Sequence, residues 1–307
     1  MEPWEIAERL TAATDQEIIL KEIAPIHPFW IGATYAVDPF VGRIFKLPLT
    51  DPPRYERGLS AELFDRVVQA ILTGELRGDR LAGAIEAMSR ACTYEQWNKW
   101  YRPILEGNCD LRVPLDLFNK YAPIQVGLPA LSRPKALTPA SLEKTSLPAE
   151  FFLQPAYENR CFWLLDSRTA LIEVRGYADT GLRLRDPQIE KSLIELGKQK
   201  PVDVVILGYF GDGLVVDDLV TREHFTREYV PFPLRQRLEA ARTLGLPLVQ
   251  RSDVLTEFGE PFLKELGLIF DQRFRGALLR DLAATYPFQV QCDWKLTTKS
   301  WLKQVPT

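Results

Sequence analysis

Residues equipped for chemistry are few in this chain of 307 amino acids. The two histidines, His27 and His224, are far apart. A Ser-His-Asp or Cys-His nucleophilic site needs an imidazole with convergent partners, and a histidine-based metal cluster needs several. Cys92, Cys109, Cys161 and Cys292 include no close pair, which excludes a zinc knuckle or a disulfide framework and fits a reducing compartment. The run Gly208-Tyr209-Phe210-Gly211-Asp212-Gly213 has the glycine density of a phosphate loop. It lacks a following Lys-Ser/Thr and opens no helix, so it reads as a hairpin turn. Asp217 and Asp218 are neighbours in a strand-like run, where successive side chains point to opposite faces. The pair is therefore expected unable to hold one ion, and no metal site is expected.

The elements that must position such residues follow from composition and periodicity. Lys and Arg total 38 against 41 Asp and Glu, a net charge of −3, so the bulk basic charge of many nucleic-acid binders is absent and any such site must be a local patch. With 46% hydrophobic and 26% charged residues the chain is ordinary globular material, long enough to bury a large core without staples. The longest uncharged run, residues 23–37, is too short to span a bilayer, and Met1-Glu2-Pro3-Trp4-Glu5 has no signal-peptide character. A cytoplasmic protein that does not engage membranes is expected.

Residues 1–122 read as helices. Ser60 can cap a segment with Leu63, Phe64, Val67, Val68, Ile71 and Leu72 at helical spacing, and Thr93 with Gln96 has the capping-box spacing. Gly74, Gly78 and Gly83 suggest a turn and a short helix. Residues 1–120 carry 14 basic and 18 acidic side chains, 14 − 18 = −4. From 123 to 150, Pro123, Pro129, Pro134, Pro139 and Pro148 interrupt every apolar period, which predicts an extended linker. From 151 to 307 short β-like runs predominate: a hairpin around Asp166-Ser167-Arg168-Thr169, a second around Gly211-Asp212, and strands over 276–280, 288–296 and 300–305. Helices are expected over 187–198 and 234–244. The expected fold class is multidomain, all-helical followed by α+β with antiparallel sheets.

The order of short motifs then resembles the phage-type ATP-dependent DNA ligases. Asp110-Leu111-Arg112-Val113 followed by Asn119-Lys120-Tyr121-Ala122-Pro123 is similar to the end of that family's helical DNA-binding domain, and Tyr35 to Phe40 with Lys46-Leu47-Pro48 to its earlier aromatic and basic segment. Leu153-Gln154-Pro155-Ala156-Tyr157-Glu158-Asn159-Arg160 falls where the family has Pro-Lys-Tyr-Asp-Gly. Glu173-Val174-Arg175-Gly176 resembles the next, arginine-glycine motif. Val205 to Tyr209 sits where a strand ends in Asp-Gly-Glu, and Val215-Val216-Asp217-Asp218-Leu219 looks like the Phe-Asp-Leu strand. Phe274-Arg275-Gly276 matches the Glu-Gly strand and Trp301-Leu302-Lys303 the closing motif. The resemblance implies a helical DNA-binding domain over 1–122 and a nucleotidyltransferase-like antiparallel-sheet domain over 151–307. The sequence stops just after the last motif, so no C-terminal oligonucleotide-binding (OB) domain is expected.

The departures bear on activity. Family chemistry starts with a lysine amine attacking the α-phosphate of ATP, and the register places Ala156 there, a methyl group with no nucleophilicity. The Asp-Gly after it becomes Glu158-Asn159. Tyr209 stands for the strand-end glutamate, Asp217 for the adenine-stacking aromatic, Arg275 for the Glu-Gly glutamate and Val305 for the second closing lysine. No catalytic residue is expected to function in this cleft of Glu158, Arg160, Arg175, Tyr209, Asp217, Arg275 and Lys303; Arg175 and Lys303 are the surviving phosphate-facing candidates.

Three readings result. In the first, a catalytically inactive ligase-like protein binds double-stranded or nicked DNA, or a protein partner, in DNA repair, replication or a phage-related process; Lys46, Arg112, Asn119 and Lys120 are the DNA-contact candidates, and no cofactor is expected. In the second, the chain is an ATP-dependent nick-sealing ligase seen as a nucleophile knockout or a truncated form, and ATP and magnesium would then be its cofactors. In the third it is a protein-interaction subunit without DNA binding.

Overall fold

The computed structural model describes residues 1–41, 44, 58–127, 134–142, 144–145, 148–211, 213–227, 229–287 and 293–305. Lys46, Asp212 and Cys292 lie outside these residues. The chain divides into two compact units, Met1–Leu128 with Thr180–Arg183, and Pro129–Asp179 with Leu184–Thr307. Among the described residues no helix is long and apolar enough to cross a membrane.

The first unit is helical: α1 (Pro3–Ala12), α2 (Gln16–Glu22), α3 (Phe29–Val37), α4 (Ala61–Leu72), α5 (Gly78–Ala91), α6 (Tyr94–Gln96), α7 (Arg102–Leu105) and α8 (Leu115–Tyr121). Ser60 caps α4 as expected, its Oγ accepting from the Leu63 amide at 3.3 Å. Phe64 and Val68 form the buried stripe of that helix. α5 is longer than the glycines suggested, because Gly83 sits in its interior facing open space and costs only about 1 kcal/mol relative to alanine. Thr93 caps α6, but the Gln96 side chain does not close a capping box. It pairs with both backbone groups of Leu59 instead. Between α6 and α7, Trp97–Tyr101 winds as one wide π turn, which brings Trp97, Trp100 and Tyr101 all into the core. Trp100 lies so close to α3 that a Cβ at Gly32 would fall 2.6 Å from its ring.

The second unit runs β1 (Lys135–Ala136), α9 (Pro139–Leu142), β2 (Phe151–Pro155), β3 (Arg160–Asp166), β4 (Glu173–Ala178), β5 (Arg183–Leu184), α10 (Pro187–Gln199), β6 (Asp203–Phe210), β7 (Leu214–Thr221), α11 (Arg222–Thr226), β8 (Tyr229–Val230), α12 (Leu234–Thr243), α13 (Glu260–Asp271), β9 (Gly276–Asp281), β10 (Tyr286–Pro287), β11 (Asp293–Thr297) and α14 (Thr298–Trp301). One sheet has the order β5-β4-β3-β6-β7 and a second β1-β11-β9-β2, while β8 and β10 form a small pair. Alternation places Cys161, Trp163 and Leu165 of β3 against Ile189 and Leu193 of α10, with Ala241 of α12 in the same cluster. On the second sheet Leu153 and Leu279 pack against Phe262 and Leu266 of α13 and against Trp301.

Two expectations need correction here. The stretch 123–150 is not a plain linker: β1 pairs in parallel with β11, and Leu137 is buried, its carbonyl accepting from the Trp301 indole at 2.8 Å. Prolines 134 and 139 bracket the two-residue strand, so it carries no periodic signal. Residues 300–305 are not a strand either. The chain turns after β11 into α14 and a 3-10 turn, Leu302–Gln304.

Candidate functional site

The register positions of the resemblance fall in the second unit. β2 ends at Pro155, and the Ala156 amide donates to the Gly276 carbonyl at 2.9 Å, joining the ends of β2 and β9. Gly276 is sterically fixed: a Cβ there would lie 2.6 Å from the Leu296 carbonyl oxygen. Asn159 adopts φ +59°, and its carbonyl accepts from the Phe210 amide at 3.0 Å. Asparagine tolerates this left-handed conformation better than other residues with a Cβ, so the turn forms with Asn159 at the glycine position.

Ala156 faces apolar surroundings. It packs with Tyr157, Tyr209, Val249 and Leu278 in one cluster. The Tyr157 and Tyr209 rings lie 5.4 Å apart, and Phe274 meets Tyr157 edge-on at 5.0 Å. Burial, assisted by the Asp217 charge, pushes the Tyr209 hydroxyl above its ordinary range, so it stays a neutral phenol. Glu158 and Arg275 approach to 3.6 Å with side chains 75% and 90% exposed. Both therefore point into solvent.

Beneath this cluster lies a buried ion network that inspection of the sequence missed. Arg280 donates from Nε to Asp293 Oδ1 at 2.8 Å and from Nη1 to Asp217 Oδ2 at 3.2 Å, and its Nη2 lies 3.8 Å from Asp218 Oδ2. Arg237 grips Asp218 with two hydrogen bonds, and Arg160 lies 4.0 Å from Asp217. Three carboxylates thus meet three guanidiniums. Burial nonetheless pushes the Asp293 carboxyl upward against the opposing pull of Arg280. The expectation that Asp217 and Asp218 face apart is overturned, and the cause is a β-bulge. Leu207 pairs with Asp218 but Gly208 pairs with Val216, which leaves Asp217 as the extra residue and brings both carboxylates to Arg280. Gly208 makes this possible, since a Cβ there would lie 2.2 Å from the Val215 carbonyl oxygen. The legible signal was Arg280 itself, a charged residue closing the apolar run Ala277-Leu278-Leu279.

The other candidates do not join this centre. Arg175 is buried on β4, 3.8 Å from Glu173, and its Nε has no hydrogen-bond partner among the described residues. Burial and the nearby Arg175 charge hold Arg222 below the ordinary arginine range. Lys303 is exposed on the 3-10 turn.

These residues do not fit a magnesium–ATP group. The methyl of Ala156 offers no nucleophile, Tyr209 is committed to aromatic packing, and the buried carboxylates already hold guanidiniums in the place a cation would take. Among the described residues no group of three His, Cys, Asp or Glu is placed to hold a metal. Burial pushes the Cys92, Cys109 and Cys161 thiols up to about 12, which removes thiolate chemistry at neutral pH. His27 accepts from the Phe29 amide at the start of α3, and His224 bonds Thr221, so both have local structural partners.

In the first unit Arg112 is exposed in a left-handed turn, its backbone held by Asp110 and Gln16. The Asn119 amide both donates to and accepts from the Val126 backbone at 2.9 Å, organising the turn after α8. Lys120 is exposed and donates to Glu17 at 2.7 Å. The hydrogen bonds from Lys120 and Tyr121 bring the Glu17 carboxyl down to about 2.

No family model matches the sequence, and no curated protein does. Among solved structures the chain is similar to Pmar-Lig_PreS3, with 18% identity over 97% of this chain and 78% of that one at a TM-score of 0.47. It is also similar to a mycobacterial DNA ligase D complexed with ATP and MES (14% identity, 55% of this chain and 59% of that one, TM-score 0.39). An archaeal ATP-dependent RNA ligase shows 17% identity over 56% of this chain and 48% of that one at a TM-score of 0.38.

Proposed function

We propose that this chain is a ligase-like protein that does not adenylate itself, and that it acts by binding duplex DNA through its helical unit. The observation that carries the first half is the packing of Ala156 with Tyr157, Tyr209, Val249 and Leu278. At the register position of a lysine nucleophile, this cluster offers apolar surface where charged phosphates would need cations and polar donors. The neutralised network of Asp217, Asp218 and Asp293 supports the same reading, because a divalent ion would have to displace a buried guanidinium.

The DNA-binding half rests on Arg112 and Lys120, exposed cations in the segment that resembles the end of a ligase DNA-binding domain. Glu17 competes with a phosphate for the Lys120 charge, so modest, salt-sensitive and sequence-independent affinity is expected. Titration of the protein with nicked duplex at two salt concentrations tests this. Binding that weakens with salt supports the proposal; no binding at low salt removes DNA from it and leaves a protein partner as the reading.

A further inference from the structure

A cavity of about 540 Å³ opens on the second unit, between the end of β7 and α12. Its size is within the range of small-molecule sites. Val204, Leu219 and Val230 make a buried apolar floor, while Phe232 and Ala240 stand exposed at its edge. The His224 ring meets Phe232 edge-on at 5.5 Å there. None of the residues assigned above to the nucleotidyltransferase-like centre lines this cavity except Arg237, whose guanidinium is turned to Asp218.

The charge of the lining is one-sided. Lys200 and Arg237 carry positive charge, and no Asp or Glu lines the cavity among the described residues. Asp218 neutralises Arg237. Lys200 therefore supplies the uncompensated charge. Its ammonium donates to the Thr243 carbonyl at 2.7 Å, at the C-terminal end of α12, which fixes it at the rim. An ammonium has three N–H donors, so two are left for a ligand.

We propose that this cavity binds an amphiphile with an apolar body and a single carboxylate, the body on the valine–leucine floor and the carboxylate at Lys200. Apolar burial provides the affinity, and the ammonium selects an acid over a neutral analogue of equal length.

Decanoate and 1-decanol, titrated calorimetrically into the full chain below micellar concentrations, test this. Wild type should bind decanoate saturably at one site and prefer it to decanol. Ala240→Trp puts an indole into the cavity from an exposed helical position that tolerates the change, and should abolish binding of both with an unchanged circular dichroism spectrum. Lys200→Gln should weaken decanoate about tenfold and leave decanol unaffected. No saturable decanoate binding to wild type, or undiminished binding to folded Ala240→Trp, would overturn the site. Equal losses of both ligands in Lys200→Gln would overturn the carboxylate assignment.

Discussion

Arg237 holds Asp218 through two parallel hydrogen bonds, Nε to Oδ1 at 2.8 Å and Nη2 to Oδ2 at 3.0 Å, with 4% and 0% of the two residues exposed. Arg237 Nη1 also donates to the carbonyls of Phe232 and Ala284, tying α12 to the loop after β9. Breaking one side of such a pair leaves a buried charge without its counter-ion. Asp218→Ala should lower stability by about 3–5 kcal/mol, and Asp218→Leu with Arg237→Met should cost clearly less than the sum of the single changes. Urea unfolding of the four proteins measures this, and additive losses would show that the two residues are not coupled.

The bulge that delivers Asp217 to Arg280 depends on a missing side chain. Gly208→Ala forces a Cβ onto the Val215 carbonyl and should cost about 3 kcal/mol, with the hairpin register as the casualty. Asn159, at φ +59°, makes the opposite case: Asn159→Gly should be neutral within a few tenths of a kcal/mol, whereas Asn159→Val should cost ~2 kcal/mol. Thermal unfolding distinguishes them, and an Asn159→Val protein as stable as wild type would contradict the left-handed assignment.

Much of this fold was legible because local signals agreed with tertiary demands. Ser60 caps the helix it precedes, and the apolar runs around residues 161–165 and 204–210 form antiparallel strands. The segment at Lys135–Ala136 was not legible, since a two-residue strand between prolines is defined by its partner β11 rather than by its own pattern. The contacts around the candidate site were not legible in the sequence. The Ala156 amide meets the Gly276 carbonyl across the ends of two strands that are distant in sequence. The pairing of Arg280 with Asp217 and Asp293 depends on a bulge and on a contact between sheets, and neither leaves a periodic trace.

Glu17 gives the helical unit a defined acid response. Its carboxyl titrates at about 2 in the folded protein, against an ordinary value of 4.5, because Lys120 and Tyr121 donate to it. A depressed carboxylate contributes stability above the unfolded value, and the contribution fades as pH falls from about 4.5 toward 2. The stability difference between wild type and Glu17→Gln should therefore be present at pH 6 and shrink by pH 2.5. A difference unchanged over that range would show that the lowered carboxyl adds no pH-dependent stability.

Under the proposed DNA-binding role, the same pair governs the response to duplex. Arg112→Ala with Lys120→Ala should weaken nicked-duplex binding and reduce the slope of log K against log salt by about two. Glu17→Gln releases Lys120 from its competitor and should strengthen binding. Weaker binding in Glu17→Gln would mean that the ion pair positions the helix end instead of competing with phosphate.

The central claim is that the centre around Ala156 cannot be restored by a nucleophile alone. Wild type and Ala156→Lys, both checked for folding by circular dichroism, are incubated with labelled ATP and magnesium or manganese, and covalent AMP is measured on the protein. The account predicts no adduct on either, because the introduced amine would face the Tyr157–Tyr209 cluster and carboxylates already held by arginine. Robust AMP transfer to the lysine at position 156 would contradict it and would show that only the nucleophile is missing.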